Sequence, residues 1–132
     1  MTQDTRIRTA TIAIVDDDDS VRSALESLVR SGGYKTRIYA SALEFLDANV
    51  SAQTDCLISD IQMPGMSGVE MLERLAATGV HIPTILITAY FAAAPSVAAQ
   101  MPQLIACLPK PCDADRLLDC IETALLRRDV VH

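Results

Sequence analysis

Residues 11–20 read TIAIVDDDDS and residues 56–60 read CLISD, two apolar runs that each end on acid. Thr11–Val15 is followed by Asp16 and Asp17, and Cys56–Ser59 by Asp60. Read as strands of a parallel sheet, both runs deliver their acids to the same carboxyl-terminal edge, where open α/β sheets bind ligands. Lys110, held between Pro109 and Pro111, shares the chain with one other lysine, Lys35. Acids gathered at one edge repel one another, so the arrangement costs stability unless a cation joins them. A hard oxygen-ligand site for Mg²⁺ beside a nucleophilic aspartate accounts for the pattern.

The remaining segments alternate between strand and helix. Ser20–Arg30 carries Val21, Ala24, Leu25, Leu28 and Val29 at helical spacing, and Gly32-Gly33 supplies the stop. Lys35–Tyr39 is a second strand, and Ser41-x-x-Glu44 is a capping box opening a short helix through about Asn49. A third strand over about Asp55–Ser59 leads into the loop Asp60–Met66. Ser67-x-x-Glu70 is a second capping box, with Val69, Leu72 and Ala76 on one face of its helix and Gly79 at its end.

Thr84–Thr88 (TILIT) is a β-branched strand of the fully buried kind, and Ala106–Leu108 a short fifth strand. Between them, Tyr90–Gln103 carries Pro95 and Pro102, which allow only a short or irregular fourth helix. Asp113 reads as the N-cap of a final helix whose apolar stripe is Ala114, Leu117, Leu118, Ile121, Ala124 and Leu125. Five β-α units of this kind predict an α/β domain: one doubly wound parallel sheet with helices on both faces. The glycine at Gly68 marks a close backbone approach or an unusual turn.

At 132 residues the chain is read as a single domain over 1–132, with a core of about 10–127 and frayed ends. Half of its residues are hydrophobic, yet no apolar run approaches the roughly 20 residues of a membrane span. MTQDTRIRTA lacks the apolar stretch of a signal peptide, which predicts a cytoplasmic protein. A net charge of −6 argues against direct nucleic-acid binding, which needs a basic face. Cys56, Cys107, Cys112 and Cys120 form no CxxC pair and lie far from His81 and His132, which argues against zinc. They read as small, mostly buried thiols in a reducing compartment.

The strings IVDDDDSVR, SDIQMPGMSG, LITA and LPKP, in this order, resemble a two-component response-regulator receiver domain of the CheY-like, (βα)5 flavodoxin-like fold. The opening VDDDDSVRSALESLVRSGGY most resembles the FixJ-type branch, and the resemblance covers about Thr11 to Leu126. It implies that Asp60 is the phosphoacceptor, charged by a sensor histidine kinase or a histidine phosphotransfer protein. It further implies Mg²⁺, for which Mn²⁺ could substitute, held by Asp17, Asp60 and the Gln62 carbonyl, with Asp16 acting through water. Lys110 is then the phosphoryl contact, Thr88 the hydroxyl that moves on activation, and the bond before Pro111 cis. Such a protein is no turnover enzyme, although it catalyses its own phosphorylation and slow dephosphorylation. Gln62 and Tyr90 match positions that tune that lifetime.

Departures matter as well. The family's rotating aromatic, three residues before the lysine, is here Cys107. With that lever absent, phosphorylation is expected to act by ordering Tyr90–Gln103, with Thr88 as trigger. The output partner stays open, as does a homodimer. A second reading makes this the receiver portion of a FixJ-type DNA-binding regulator whose effector domain is absent. A third, a haloacid-dehalogenase-type phosphatase, rests on Asp16-x-Asp18-x-Ser20 alone. An EF-hand loop fails because Val21 and Ser27 stand where glycine and glutamate are required. Asp18 and Asp19 read as helix-start residues favoured by the dipole, and Arg127 and Arg128 as dipole partners at a helix end.

Overall fold

The computed structural model describes residues 9–48, 53–89 and 101–130, the last three by backbone only. Five strands are seen among them: β1 (Thr11–Val15), β2 (Lys35–Tyr39), β3 (Cys56–Asp60), β4 (Thr84–Thr88) and β5 (Leu104–Pro109). Four helices accompany them: α1 (Asp19–Ser31), α2 (Ala42–Asp47), α3 (Gly68–Ala77) and α4 (Ala114–Val130). All strand pairings are parallel, in the order β2-β1-β3-β4-β5. The chain therefore winds outward in both directions from the β1/β3 junction. That junction is the topological switch point, where a crevice opens beyond the strand ends.

The apolar runs conceal a two-sided alternation. Ile12, Ile14, Ile58, Ile85 and Ile87 pack on one face against Leu25 and Val29 of α1 and Leu117, Ile121 and Ala124 of α4. Ala13, Val15, Leu57 and Leu86 face the other way, onto Phe45 of α2 and Val69, Met71, Leu72 and Leu75 of α3. The central strands β3 and β4 are buried at every position. Each large aliphatic side chain enclosed in this way contributes about 1.5–3 kcal/mol. This double burial holds the strand ends, and the acids on them, in fixed register. Met71 is core, while Met63 and Met66 pack at its edge from the loop.

Local signals set the element ends. Asp18 caps α1, accepting from the Ser20 and Val21 N–H groups, and Gly33 leaves the helix in the left-handed region at φ +93. Ser67 and Glu70 complete a reciprocal capping box on α3. The predicted box at Ser41 closes differently. Ser41 accepts from the Glu44 N–H, but Glu44 Oε1 reaches back to the N–H of Ala40 rather than Ser41. Asp113 caps α4 through the Arg116 N–H.

Several sequence-based boundaries shift. β3 takes in Asp60 itself, because its backbone still pairs with Ile87 of β4. β5 spans Leu104–Pro109 rather than Ala106–Leu108. Its pairing slips by one residue, Thr84 opposing Leu104 and Ile85 opposing Ala106, so Ile105 breaks the alternation that a periodicity reading relies on. Pro109 is tolerated because β5 is an edge strand. Ala24 and Ala114 are exposed rather than part of their stripes, since a short methyl at the margin of a stripe does not reach the sheet. α4 continues past Arg127 to Val130, and Arg127 donates to the Pro102 carbonyl at 2.9 Å instead of acting only on its own helix end. Of the thiols, only Cys56 is buried; Cys107, Cys112 and Cys120 are half-buried. The short or irregular fourth helix expected within Tyr90–Gln103 falls on residues 90–100, outside the described residues, as does Tyr90. Among the described residues no helix is long and apolar enough to cross a membrane.

Candidate functional site

The site lies on the carboxyl-terminal edge at the β1/β3 switch point. β1 delivers Asp16, 1% exposed, and β3 delivers Asp60, 5% exposed. Asp17, one residue further along the chain, is exposed. The three carboxylates each place one oxygen within 4.8 Å of the others. From the far side, the Lys110 ammonium reaches 3.0 Å from Asp60 Oδ2 and 3.1 Å from Asp16 Oδ2. Lys110 is aimed by its own backbone: its N–H donates to the Thr88 carbonyl at 2.9 Å, and the peptide bond to Pro111 is cis.

The two pairings of Lys110 are unequal. It donates a hydrogen bond to Asp60 Oδ2, whereas Asp16 Oδ2 is enclosed with no hydrogen-bond partner despite its closeness to the ammonium. The other Asp16 oxygen accepts from the Asp18 N–H at 2.9 Å. The ammonium balances the charge of this oxygen, but a buried carboxylate oxygen without a hydrogen bond is still under-satisfied, and a hydrated divalent cation would complete it. Together with two further hard oxygen donors, it fits a divalent cation of the Mg²⁺ type, bound by few carboxylates and several waters. Among the described residues this is the one such acidic group.

Electrostatics follow burial. Desolvation pushes the Asp60 carboxyl above its ordinary range, and nearby Asp16 adds to this, while the Lys110 ammonium and the Gln62 N–H pull the other way without cancelling it. For Lys110, burial favours the neutral amine, but the Asp60 and Asp16 carboxylates together outweigh it and hold the group above the usual lysine value. Asp18 is lowered by its Ser20 and Val21 hydrogen bonds, as its capping role requires. Burial raises the Cys107 thiol, and it takes Cys112 to about 11.

Thr88, at the end of β4, is fully buried beside Asp60, since Asp60 pairs with Ile87. Its hydroxyl donates to Gln62 Oε1 at 2.7 Å, and the Gln62 N–H approaches Asp60 Oδ1 at 3.3 Å. Two further residues shape the edge. Arg22 donates through Nη1 to the Asp16 carbonyl at 2.6 Å and through Nη2 to Asp19, bracing the β1–α1 loop. Gly68 comes so close beneath Asp60 that an added Cβ would lie 2.3 Å from the Asp60 carbonyl oxygen. Its own N–H donates to the Ile61 carbonyl at 2.9 Å. The sequence flagged Gly68 but gave Arg22 no task. The Asp19/Arg22 spacing of one helical turn was the available signal. The resemblance gives Gln62 a backbone carbonyl ligand and a lifetime-tuning position, and its side-chain bond to Thr88 has no local signature.

The motif behind the phosphatase reading does not present its second acid for chemistry, because the Asp18 carboxylate accepts from Ser20 and Val21 at the start of α1.

Comparison with known proteins agrees with this geometry. The family model described as response regulator receiver domain matches residues 12–122. The response regulator protein TmoT of Ectopseudomonas mendocina is 40% identical over 114 residues, covering 86% of this chain and 52% of that protein. The transcriptional regulatory protein FixJ of Azorhizobium caulinodans is 34% identical over 116 residues, covering 88% of this chain and 55% of that protein. The low-resolution structure of the response regulator StyR superposes with a TM-score of 0.86 at 39% identity, covering 92% of this chain and 62% of that one. The chain thus spans about half the length of TmoT and FixJ. With the fold, the acidic edge and the family model in agreement, the chain belongs to the response regulator receiver domains of two-component signalling.

Proposed function

We propose that Asp60 is the phosphoacceptor, taking a phosphoryl group from a phosphohistidine on a sensor histidine kinase or a phosphotransfer protein. The observation that carries this is the Lys110 ammonium seated between Asp60 and Asp16 at 3.0 and 3.1 Å, on the edge where Asp17 also lies. A carboxylate oxygen attacks phosphorus directly, so no general base is needed. The new P–O bond of an acyl phosphate forms as the donor's P–N bond breaks, and the electron pair returns to the imidazole nitrogen. Phosphoryl transfer depends on positioning and on neutralising charge spread over the equatorial oxygens. Lys110 supplies part of that neutralisation, and the Thr88 hydroxyl donates to a phosphoryl oxygen once the group has arrived.

Asp17, Asp60 and the Gln62 carbonyl would hold Mg²⁺ directly and Asp16 through water, with Mn²⁺ able to replace it. When bound, the metal neutralises phosphoryl charge and offsets the mutual repulsion of the acids. Residues 1–132 act as one such receiver, and the changed surface of the phosphorylated protein engages an output partner. Treatment with a small-molecule phosphodonor, with and without Mg²⁺, followed by mapping of the modified residue, tests the assignment. Label on Asp60 that requires the metal is the expected result, and label on another residue overturns it.

The relatives' length and names favour a second, compatible reading. TmoT and FixJ are described as regulators, FixJ as transcriptional, and each is about twice as long as the matched segment. This domain would then be the receiver portion of a FixJ-type DNA-binding regulator, a choice that the length of the encoding gene settles.

A further inference from the structure

Asp17 is the least supported of the three acids. It is exposed, and among the described residues its carboxylate has no hydrogen bond or ion pair. Asp16 is gripped at Oδ1 by the Asp18 N–H and lies against the Lys110 ammonium, and Asp60 accepts from Lys110. The place of the Asp17 carboxylate is therefore set by the backbone on either side of it. Arg22 holds that backbone from both sides. Its Nη1 donates to the Asp16 carbonyl at 2.6 Å, and its own backbone N–H donates to the Asp18 carbonyl at 2.9 Å. The peptide plane joining Asp16 to Asp17 carries the first of these oxygens. A hydrogen bond to that oxygen fixes the plane, and with it the direction in which Asp17 leaves. An ion pair with Asp19 alone would be worth little, since that carboxylate is 91% exposed. The Arg22 side chain is itself only 14% exposed, with Nη1 turned onto the loop.

We infer that Arg22 is a positioning residue for the divalent cation: by holding the Asp16–Asp17 peptide, it aims the Asp17 carboxylate at the site without touching the ion. This rests on the Mg²⁺ reading of the acidic edge and adds a residue to it. Charge and positioning predict opposite signs here. A guanidinium beside a cation site repels the ion, so by charge alone its removal tightens Mg²⁺ binding. By positioning, its removal loosens binding, because the exposed Asp17 side chain then samples directions away from Asp16 and Asp60. Outer partners that orient a metal ligand cost about 10–100-fold in affinity when removed. Arg22 acts one step further back, through the peptide, so its effect falls at or below the lower end of that range.

The test titrates the whole chain with Mg²⁺ alone and follows amide chemical shifts. Arg22→Met keeps much of the side chain's apolar length and removes the donors. It should bind Mg²⁺ about three- to tenfold more weakly than the parent. Arg22→Gln, polar but too short to span both partners, should weaken binding to a similar degree. In an Asp17→Asn background the Arg22→Met substitution should change Mg²⁺ affinity little, because the charge being aimed is gone. In the metal-free protein, the backbone order parameter at Asp17 should fall in Arg22→Met while those of β1 and α3 stay as in the parent. Mg²⁺ binding that is unchanged or tighter in both Arg22 variants, an equal loss in the Asp17→Asn background, or an unchanged order parameter at Asp17 would each overturn the inference. If the parent and Asp17→Asn bind Mg²⁺ alike, the metal reading itself fails, whatever the Arg22 variants do.

Discussion

The two sides of the acidic edge are wired in opposite ways. On the β1–α1 side, the carboxylate hydrogen bonds seen among the described residues are short-range: Asp16 accepts from Asp18, Asp18 from Ser20 and Val21, and Asp19 from Arg22, with the Lys110 ion pair to Asp16 as the one long-range contact. On the β3–β4–β5 side, the bonds join residues far apart in the chain, Thr88 to Gln62 across 26 positions and Lys110 to Asp60 across 50. The first set forms with the loop and the first turn of α1. The second exists only while the strands are assembled, and each of its members has a second charged or polar group to turn to. On the proposed function, a locally bonded corner would place the cation and the long-range side would register the phosphoryl group, an economical division for a switch.

Asp60→Asn breaks the long-range side most completely. Phosphate incorporation from a small-molecule donor should vanish while the fold and the Asp16–Arg22 corner persist, because shape is retained and the nucleophilic charge is gone. Acyl phosphate undiminished in that variant would remove Asp60 from the reaction. Lys110→Met is the next largest. It leaves Asp60 and Asp16 buried without their cation, and loss of one partner from an enclosed pair costs roughly 2–4 kcal/mol, discounted for the partly open site. Chemical denaturation of the metal-free protein reads this directly. The same substitution in an Asp60→Asn background should cost clearly less, and equal costs in both backgrounds would mean that Lys110 stabilises through packing alone.

The locally bonded side is probed by Asp17→Asn. Mg²⁺ at ten times its dissociation constant should stabilise the parent by about 1.4 kcal/mol, and the variant should need more metal for the same rise in melting temperature. Without metal the variant should melt higher than the parent, since one repelling charge is gone. A lower metal-free melting temperature would show that Asp17 has structural partners of its own.

The smallest effect is a pH slope. The Asp60 carboxyl is raised in the folded protein above its ordinary 3.8, chiefly by burial. Between that value and the raised one the folded state holds more protons than the unfolded state, so this residue's contribution to stability falls as pH rises. Metal-free parent minus Asp60→Asn, compared by melting temperature from about pH 4 upward, should show that downward component. A difference that stays flat, or climbs with pH, would mean that Lys110 outweighs burial at Asp60.

How much of this was legible beforehand differs element by element. Thr84–Thr88 was readable to the residue because a β-branched run behind Pro83 leaves little alternative. The Ser67/Glu70 box was equally clear, since both bonds lie within one turn. The box at Ser41 was half right: the motif sets the spacing, but whether Glu44 returns to Ser41 or Ala40 depends on how the chain enters from β2. β5 was cut short because the slip at Ile105 is defined only against its neighbour β4. The resemblance of four strand-end motifs pointed to the candidate site residues, but said nothing of Arg22 bracing the Asp16 carbonyl or of the Gln62 bond to Thr88.

The sequence by itself therefore determined the alternation of elements, their caps and which acids end on strands. These depend on periodicity and on hydrogen bonds reaching no more than about four residues. Only the tertiary structure decided that Lys110 hydrogen-bonds Asp60 while only ion-pairing with Asp16, and that the Thr88 hydroxyl donates to Gln62. Those contacts are set by strand order and by fractions of an ångström between groups dozens of residues apart, and no local pattern encodes either.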